Sequence, residues 1–135
     1  MPNSQAVGVA YSDPEFTTCY ASQEIGYSAA AQGTVTQLTS KSTAVTLNKS
    51  MGRITMNNAS LATATNATFT LNNNVISAND TVILTISGGQ TTPGSYNAFA
   101  NALDTGTVSI TLRNISGGSL SEAVVINFCV IHGAV

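Results

Sequence analysis

The last third of the chain alternates. Val108, Ile110 and Leu112 take every second position between Thr107, Ser109, Thr111 and Arg113, the period of a strand with one buried face. Beyond Gly117 and Gly118, read as the turn of a terminal strand pair, Val124, Ile126, Phe128 and Val130 make a second apolar row. The opposite row, Val125, Asn127, Cys129 and Ile131, is also largely apolar, which predicts a strand covered on both faces.

Similar short runs recur upstream at residues 34–38, 44–47, 53–56, 67–71 and 81–86. Asn72, Asn73 and Asn74 close one of them, because Asn tolerates left-handed backbone and offers its amide to turn hydrogen bonds. Gly88 and Gly89 stop the strongest, Gly52 with the Asn48–Ser50 turn precedes another, and residues 60–65 read as a loose loop. Residues 95–103 alternate weakly around Tyr96, Phe99 and Leu103 and are read as a strand or a short helix. No period of 3.6 lasts beyond two turns. About eight short strands with regularly spaced turn signals predict an all-β fold, an antiparallel, jelly-roll-like β-sandwich over residues 33–135. A faint echo links Ile54-Thr55-Met56-Asn57-Asn58-Ala59-Ser60 to Ile110-Thr111-Leu112-Arg113-Asn114-Ile115-Ser116, each a strand left through Asn and a Ser-containing loop.

Residues 1–32 follow another pattern. They carry Tyr11, Phe16, Tyr20 and Tyr27, half of the eight aromatic residues, with the acids Asp13, Glu15 and Glu24. Residues 7–11 are read as a short strand and residues 28–33 as a small-residue linker, so the expectation is an extended N-terminal arm. Either this segment packs over its own sandwich, or its four aromatics are interface residues anchoring on a neighbouring subunit or another protein, since aromatic side chains dominate such anchors.

Composition narrows the function. At 135 residues the chain suits one domain with a real core. Charged residues make up 7%, against about 25% in ordinary soluble domains, so Thr, Ser and Asn supply the polarity. No apolar run approaches the ~18–20 residues of a spanning helix, and a membrane role is not expected. Lys41, Lys49, Arg53 and Arg113 are the only basic residues in a chain of net charge −2, which argues against a phosphate-neutralising surface and nucleic-acid binding. Met1 to Gln5 lack the basic-then-apolar order of a secretory leader. With no leader, Cys19 and Cys129 are expected as free thiols made in a reducing cytosol.

No chemistry-bearing constellation assembles. His132 is the only histidine and has no ligand set with which to hold zinc. It is expected at the surface of a strand end. A Ser-His-Asp site would have to use it, and no Gly-x-Ser-x-Gly elbow exists. Asp80 and Asp104, the best carboxylate pair for glycoside hydrolysis, both sit beside turn residues and read as turn-formers. No acidic ligand series supports calcium. The Gly88-Gly89 and Gly117-Gly118 pairs lead into loops, not into a helix that could cradle phosphate. The chain is therefore expected to be no enzyme and to need no cofactor or metal.

One resemblance adds to this. Residues 36–49, from Thr36-Gln37-Leu38 to Leu47-Asn48-Lys49, together with Gly52-Arg53-Ile54-Thr55-Met56-Asn57 and Arg113-Asn114-Ile115-Ser116-Gly117-Gly118-Ser119-Leu120-Ser121-Glu122-Ala123, resemble a small β-rich domain of tailed-bacteriophage virion proteins. The likeness runs from about Gly33 to the end and leaves the N-terminal segment unmatched. It implies a capsid decoration (cement) protein on the exterior of a phage head, or alternatively a tail fibre or spike domain contacting a host surface glycan. A decoration role implies the major capsid protein as partner and, with closed symmetry as the default for oligomers, a homotrimer at three-fold capsid sites.

Overall fold

The computed structural model describes residues 17–133. Tyr11, Phe16 and the strand expected at residues 7–11 lie outside them. Eight strands follow one another: β1 (Gln32–Thr36), β2 (Val45–Thr46), β3 (Met51–Thr55), β4 (Asn66–Asn72), β5 (Thr81–Gly88), β6 (Tyr96–Asp104), β7 (Thr107–Asn114) and β8 (Val125–Ile131). Among the described residues the only helical piece is a 3-10 turn at Ala29–Ala31, within the stretch expected as a linker. The strands form two four-stranded sheets, β1-β3-β8-β5 (sheet A) and β2-β4-β7-β6 (sheet B). The fold is all-β and β-sandwich-like.

The alternating rows account for the core. Val108, Ile110 and Leu112 of β7 meet Ile54 of β3 and Ile126, Phe128 and Val130 of β8 in one cluster, all essentially inaccessible to solvent. At about 25 cal/mol per Å² of apolar area, each such side chain contributes on the order of 2 kcal/mol. Residues 95–103 resolve as strand: Tyr96 of β6 is buried, and Ala98 and Ala100 pack against the core. A bulge between Asn101 and Asp104, with Ala102 at φ 50°, ends their regular alternation, which explains the weak pattern.

The expected antiparallel order holds for the inner pairs β3–β8, β5–β8, β4–β7 and β6–β7 and fails at two edges. β1 pairs with β3, and β2 with β4, in parallel. The cause is the path of the chain. Successive strands reverse direction, yet each of the first six lies in the sheet opposite its predecessor. A chain that crosses to the other sheet and back returns pointing the way it left, so neighbours two strands apart are parallel.

The terminal pair is also corrected. β7 lies in sheet B and β8 in sheet A, so the two rows face each other across the core. Ten residues separate them, too many for a tight hairpin. Asn114 organises that crossing. Fully buried, it donates to the Leu61 and Gly118 carbonyls at 2.9 and 2.8 Å and accepts from the Ser116 backbone N–H at 2.9 Å. Leu61 and Leu120 are bridged by backbone bonds in both directions, so residues 60–65 are tied down and not loose. Asn57 and Asn73 likewise accept from the N–H two residues on, at 2.8 and 3.1 Å. The faint echo is thus a shared Asn turn at strand exits, one residue out of step between its two copies.

Three local expectations shift. β1 ends at Thr36, although the alternation runs on, with Gln37 facing inward like Val35 and Leu38 left 84% exposed. The buried Gln37 is satisfied by the Lys41 and Thr43 carbonyls at 3.1 and 2.8 Å and by the Asn57 N–H at 3.1 Å. Gly52 lies within β3, not in the turn before it. A Cβ there would stand 2.5 Å from both Leu47 and the buried Phe128 ring, so glycine admits close sheet packing. β8 is covered only in part on its outward face: Val125 is buried, Asn127 and Cys129 are half-buried and Ile131 is 51% exposed.

Candidate functional surfaces

Of the residues expected as anchors, the two among the described residues, Tyr20 and Tyr27, part company. Tyr27 is half-buried, and its hydroxyl donates to the Val130 carbonyl of β8. Burial pushes its phenol above the ordinary value, and Cys129 and Asp80 act in the same direction. Tyr20 is 93% exposed. Between them, every residue from 17 to 26 is exposed, Ile25 to 87%. One aromatic of the segment therefore packs on its own domain, and another stands in water.

Tyr27 borders an open groove of about 580 Å³ on the outward face of sheet A, lined by Ile25, Gly26, Tyr27, Met51, Cys129 and Ile131. A second depression, of about 370 Å³, continues from Met51 to Gln32, Thr34, Arg53 and Asn127. The register explains the arrangement. Met51, Cys129 and Ile83 lie side by side on β3, β8 and β5, and Arg53, Asn127 and Thr85 form the next outward row. The sequence flagged Cys129 and Ile131 through the apolar outer row of β8. Met51 was hidden by the turn reading around Gly52, and Arg53 gave no signal beyond its charge.

Sheet B turns out a different surface. Thr68, Thr111 and Phe99 are adjacent on β4, β7 and β6. The Thr68 and Thr111 hydroxyls bond each other at 2.8 Å, and Arg113 donates to Asn66 at 3.3 Å. Phe99, 41% exposed, is the one large apolar side chain there.

The polar clusters are occupied with structural bonds. Asp80, whose side chain is inaccessible, accepts from the Ser77 N–H and hydroxyl at 2.8 and 2.9 Å and from the Gly133 N–H at 3.1 Å. His132 Nδ1 stands 3.0 Å from its second oxygen, with the ring half exposed. The Ser77 N–H leads the interactions that hold the Asp80 carboxyl down at about 2. Serine bonds to the carboxylate and not to the imidazole, so the order needed to activate a hydroxyl is not made. The group ties the end of β8 to the turn before β5. Asp104 Oδ1 accepts from the Thr105 N–H at 2.7 Å, so both acids serve turns.

A second polar corner surrounds Lys41, which is buried and donates to the Asn57 and Glu122 carbonyls. Burial pushes the amine down, and the Glu122 carboxylate works against that shift. Hydrogen bonds from Thr91, whose N–H lies at 2.7 Å, keep Glu122 below the usual carboxylate range. Tyr96 is pushed up by burial and then by Glu122, although neither Tyr96 Oη nor Glu122 Oε2 makes a hydrogen bond of normal geometry. Gly89 lets the loop enter this corner: it sits at φ +82°, and a Cβ added there would stand 2.0 Å from the Ala123 carbonyl oxygen.

Among the described residues no cluster of three or more His, Cys, Asp or Glu could hold a metal ion, and no helix is long and apolar enough to cross a membrane. Cys19 and Cys129 are free thiols. Comparison with family models, with curated proteins and with solved structures finds no match for this chain.

Proposed function

We propose that this chain is a virion structural protein, a decoration (cement) protein that binds the outer surface of a phage head and stabilises it as a symmetric oligomer. The observation that carries the reading is the open run of residues 17–26, with Tyr20 and Ile25 almost wholly in water. Large apolar side chains held off their own domain are suited to bury against a partner. A surface of Thr, Ser and Asn supports the same role, because ordering such short side chains at a permanent contact costs less entropy than ordering Lys or Glu. In this reading the chain is made in the host cytoplasm, the segment acts as an extended arm, and the partners are the major capsid protein and two further copies. The jelly-roll-like comparison rests on the antiparallel inner pairs alone.

The test is a capsid-binding assay with residues 1–26 deleted, which spares Tyr27. The truncated domain is expected to melt cooperatively and to lose binding to heads; undiminished occupancy would sink the decoration role of the arm. Phe99 favours one alternative. An exposed aromatic ring flanked by Asn97 and Asn101 is a surface on which a sugar ring stacks, as a receptor-binding fibre or spike would require. Electron microscopy of virions separates the two: many copies over the head support decoration, and a few at the tail support the alternative, with a glycan screen of Phe99→Ala to follow.

A further inference from the structure

We infer that the outward face of sheet A is a self-association surface, and that its groove receives residues 17–24 of a second copy. The inference rests on reading the N-terminal segment as a docking arm, but not on a virion.

Four observations converge. The face is apolar where it is open: Met51, Cys129 and Ile131 line the groove beside Tyr27, and Ile83 extends the patch. The groove continues through Met51 to Arg53, the one charged side chain among the outward positions of sheet A. Residues 1–32 supply the complement, with three acids, no base and four aromatics. Finally, the copy's own residues 17–24 are exposed along their whole length. They line neither depression of that face, so among the described residues the apolar surface and the segment are each left open.

The spacing sets a register. Arg53 is paired in the sheet with Asn127, and Ile131 lies four residues further along β8. Tyr20 and Glu24 are also four residues apart. At ~3.3 Å per extended residue both separations are about 13 Å. An extended segment with Tyr20 over Ile131 and Cys129 therefore brings Glu24 over Arg53. The apolar contact supplies the affinity, and the partly shielded ion pair selects the direction.

The experiment uses the full chain in solution, where no capsid is present, so its failure and that of the decoration reading are separate results. Sedimentation velocity over a concentration series is expected to show reversible association. Tyr20→Ala, at a site too exposed to affect folding of the domain, is expected to weaken it at least about tenfold, the effect of losing one aromatic anchor. Glu24→Arg or Arg53→Glu is expected to weaken it, and the two together to restore it. Copies carrying Cys129→Ser, mixed with copies carrying Cys19→Ser, are expected to be joined by a bifunctional maleimide from Cys19 of one to Cys129 of the other. A protein monomeric up to about 1 mM, the weak limit of specific contact, overturns the inference. So does association indifferent to Tyr20→Ala and to the charge reversals. A Cys19–Cys129 link formed only within single copies of the unmodified chain overturns it in favour of a segment folded back on its own groove.

Discussion

On sheet B, the outward row Thr68, Thr111 and Phe99 spends its hydroxyls on each other. On sheet A, the corresponding row is Met51, Cys129 and Ile83, next to a half-exposed Ile131. The inner rows of both sheets are alike, made of Val, Ile, Leu and Phe in one core. Threonine and isoleucine suit a pleated strand equally well, since both are β-branched. The backbone thus accepts either outward chemistry, and the choice between them is free to encode what each face meets. Sheet B closes its polar groups locally, whereas sheet A presents apolar area beside a docked tyrosine.

The largest effects should come from the inner rows, where the sheets are expected to behave identically. Phe128→Ala in sheet A and Leu112→Ala in sheet B each remove a side chain with almost no exposure, and each should cost about 3–4 kcal/mol in denaturant unfolding. A second transition would mean that the sheets do not share one core. The outer rows should then part company. Thr111→Val deletes the bond to Thr68 from a nearly buried position and should cost about 1 kcal/mol. Cys129→Val, in the matching row of sheet A, should change the stability of the monomer by less than about 0.5 kcal/mol. Reversal of that order would place the closed hydroxyl row on the wrong sheet.

The smallest effect is in acid, at the end of sheet A. Asp80 is held at about 2, below its unfolded value of about 3.9. Its contribution is therefore complete above about pH 4 and is lost as pH falls through about 2. Melting temperatures between pH 5 and pH 2 should drop more steeply in the parent than in Asp80→Asn, which has no carboxylate there to protonate. Parallel profiles would show that the tie to Ser77, His132 and Gly133 adds nothing.

The strands were legible because burial writes itself into every second residue, as in Val108–Ile110–Leu112. Their partners were not. Nothing within Gln32–Thr36 states that Met51–Thr55 lies alongside in the same direction, because parallel pairing follows from where the chain crosses between sheets. Gln37 shares the inward face with Val35 by simple alternation, but what lets an amide lie there was not legible. The hydrogen bonds that make Gln37 welcome inside come from Lys41, Thr43 and Asn57, and only Asn57 is remote enough to have been invisible locally. Of the docking surface, the apolar outer row of β8 could be read in advance. Its junction with Met51 and Arg53 could not, because it depends on register across three strands. Asp80 read correctly as a turn residue, while its hold on His132 joins positions 52 residues apart.

The zigzag path has a consequence for how the molecule comes into being. Neighbours in sequence mostly sit in opposite sheets, and β8, the last of the eight described strands, is inserted between β3 and β5. Sheet A therefore cannot close until β8 has been made. Most stabilising contacts bridge long stretches of chain, a topology that folds in milliseconds to seconds rather than microseconds. Before β8 arrives, β3 and β5 offer unpaired edges. Partially made chains should thus be the aggregation-prone species, and truncation before Val125 should yield insoluble product, not a smaller domain.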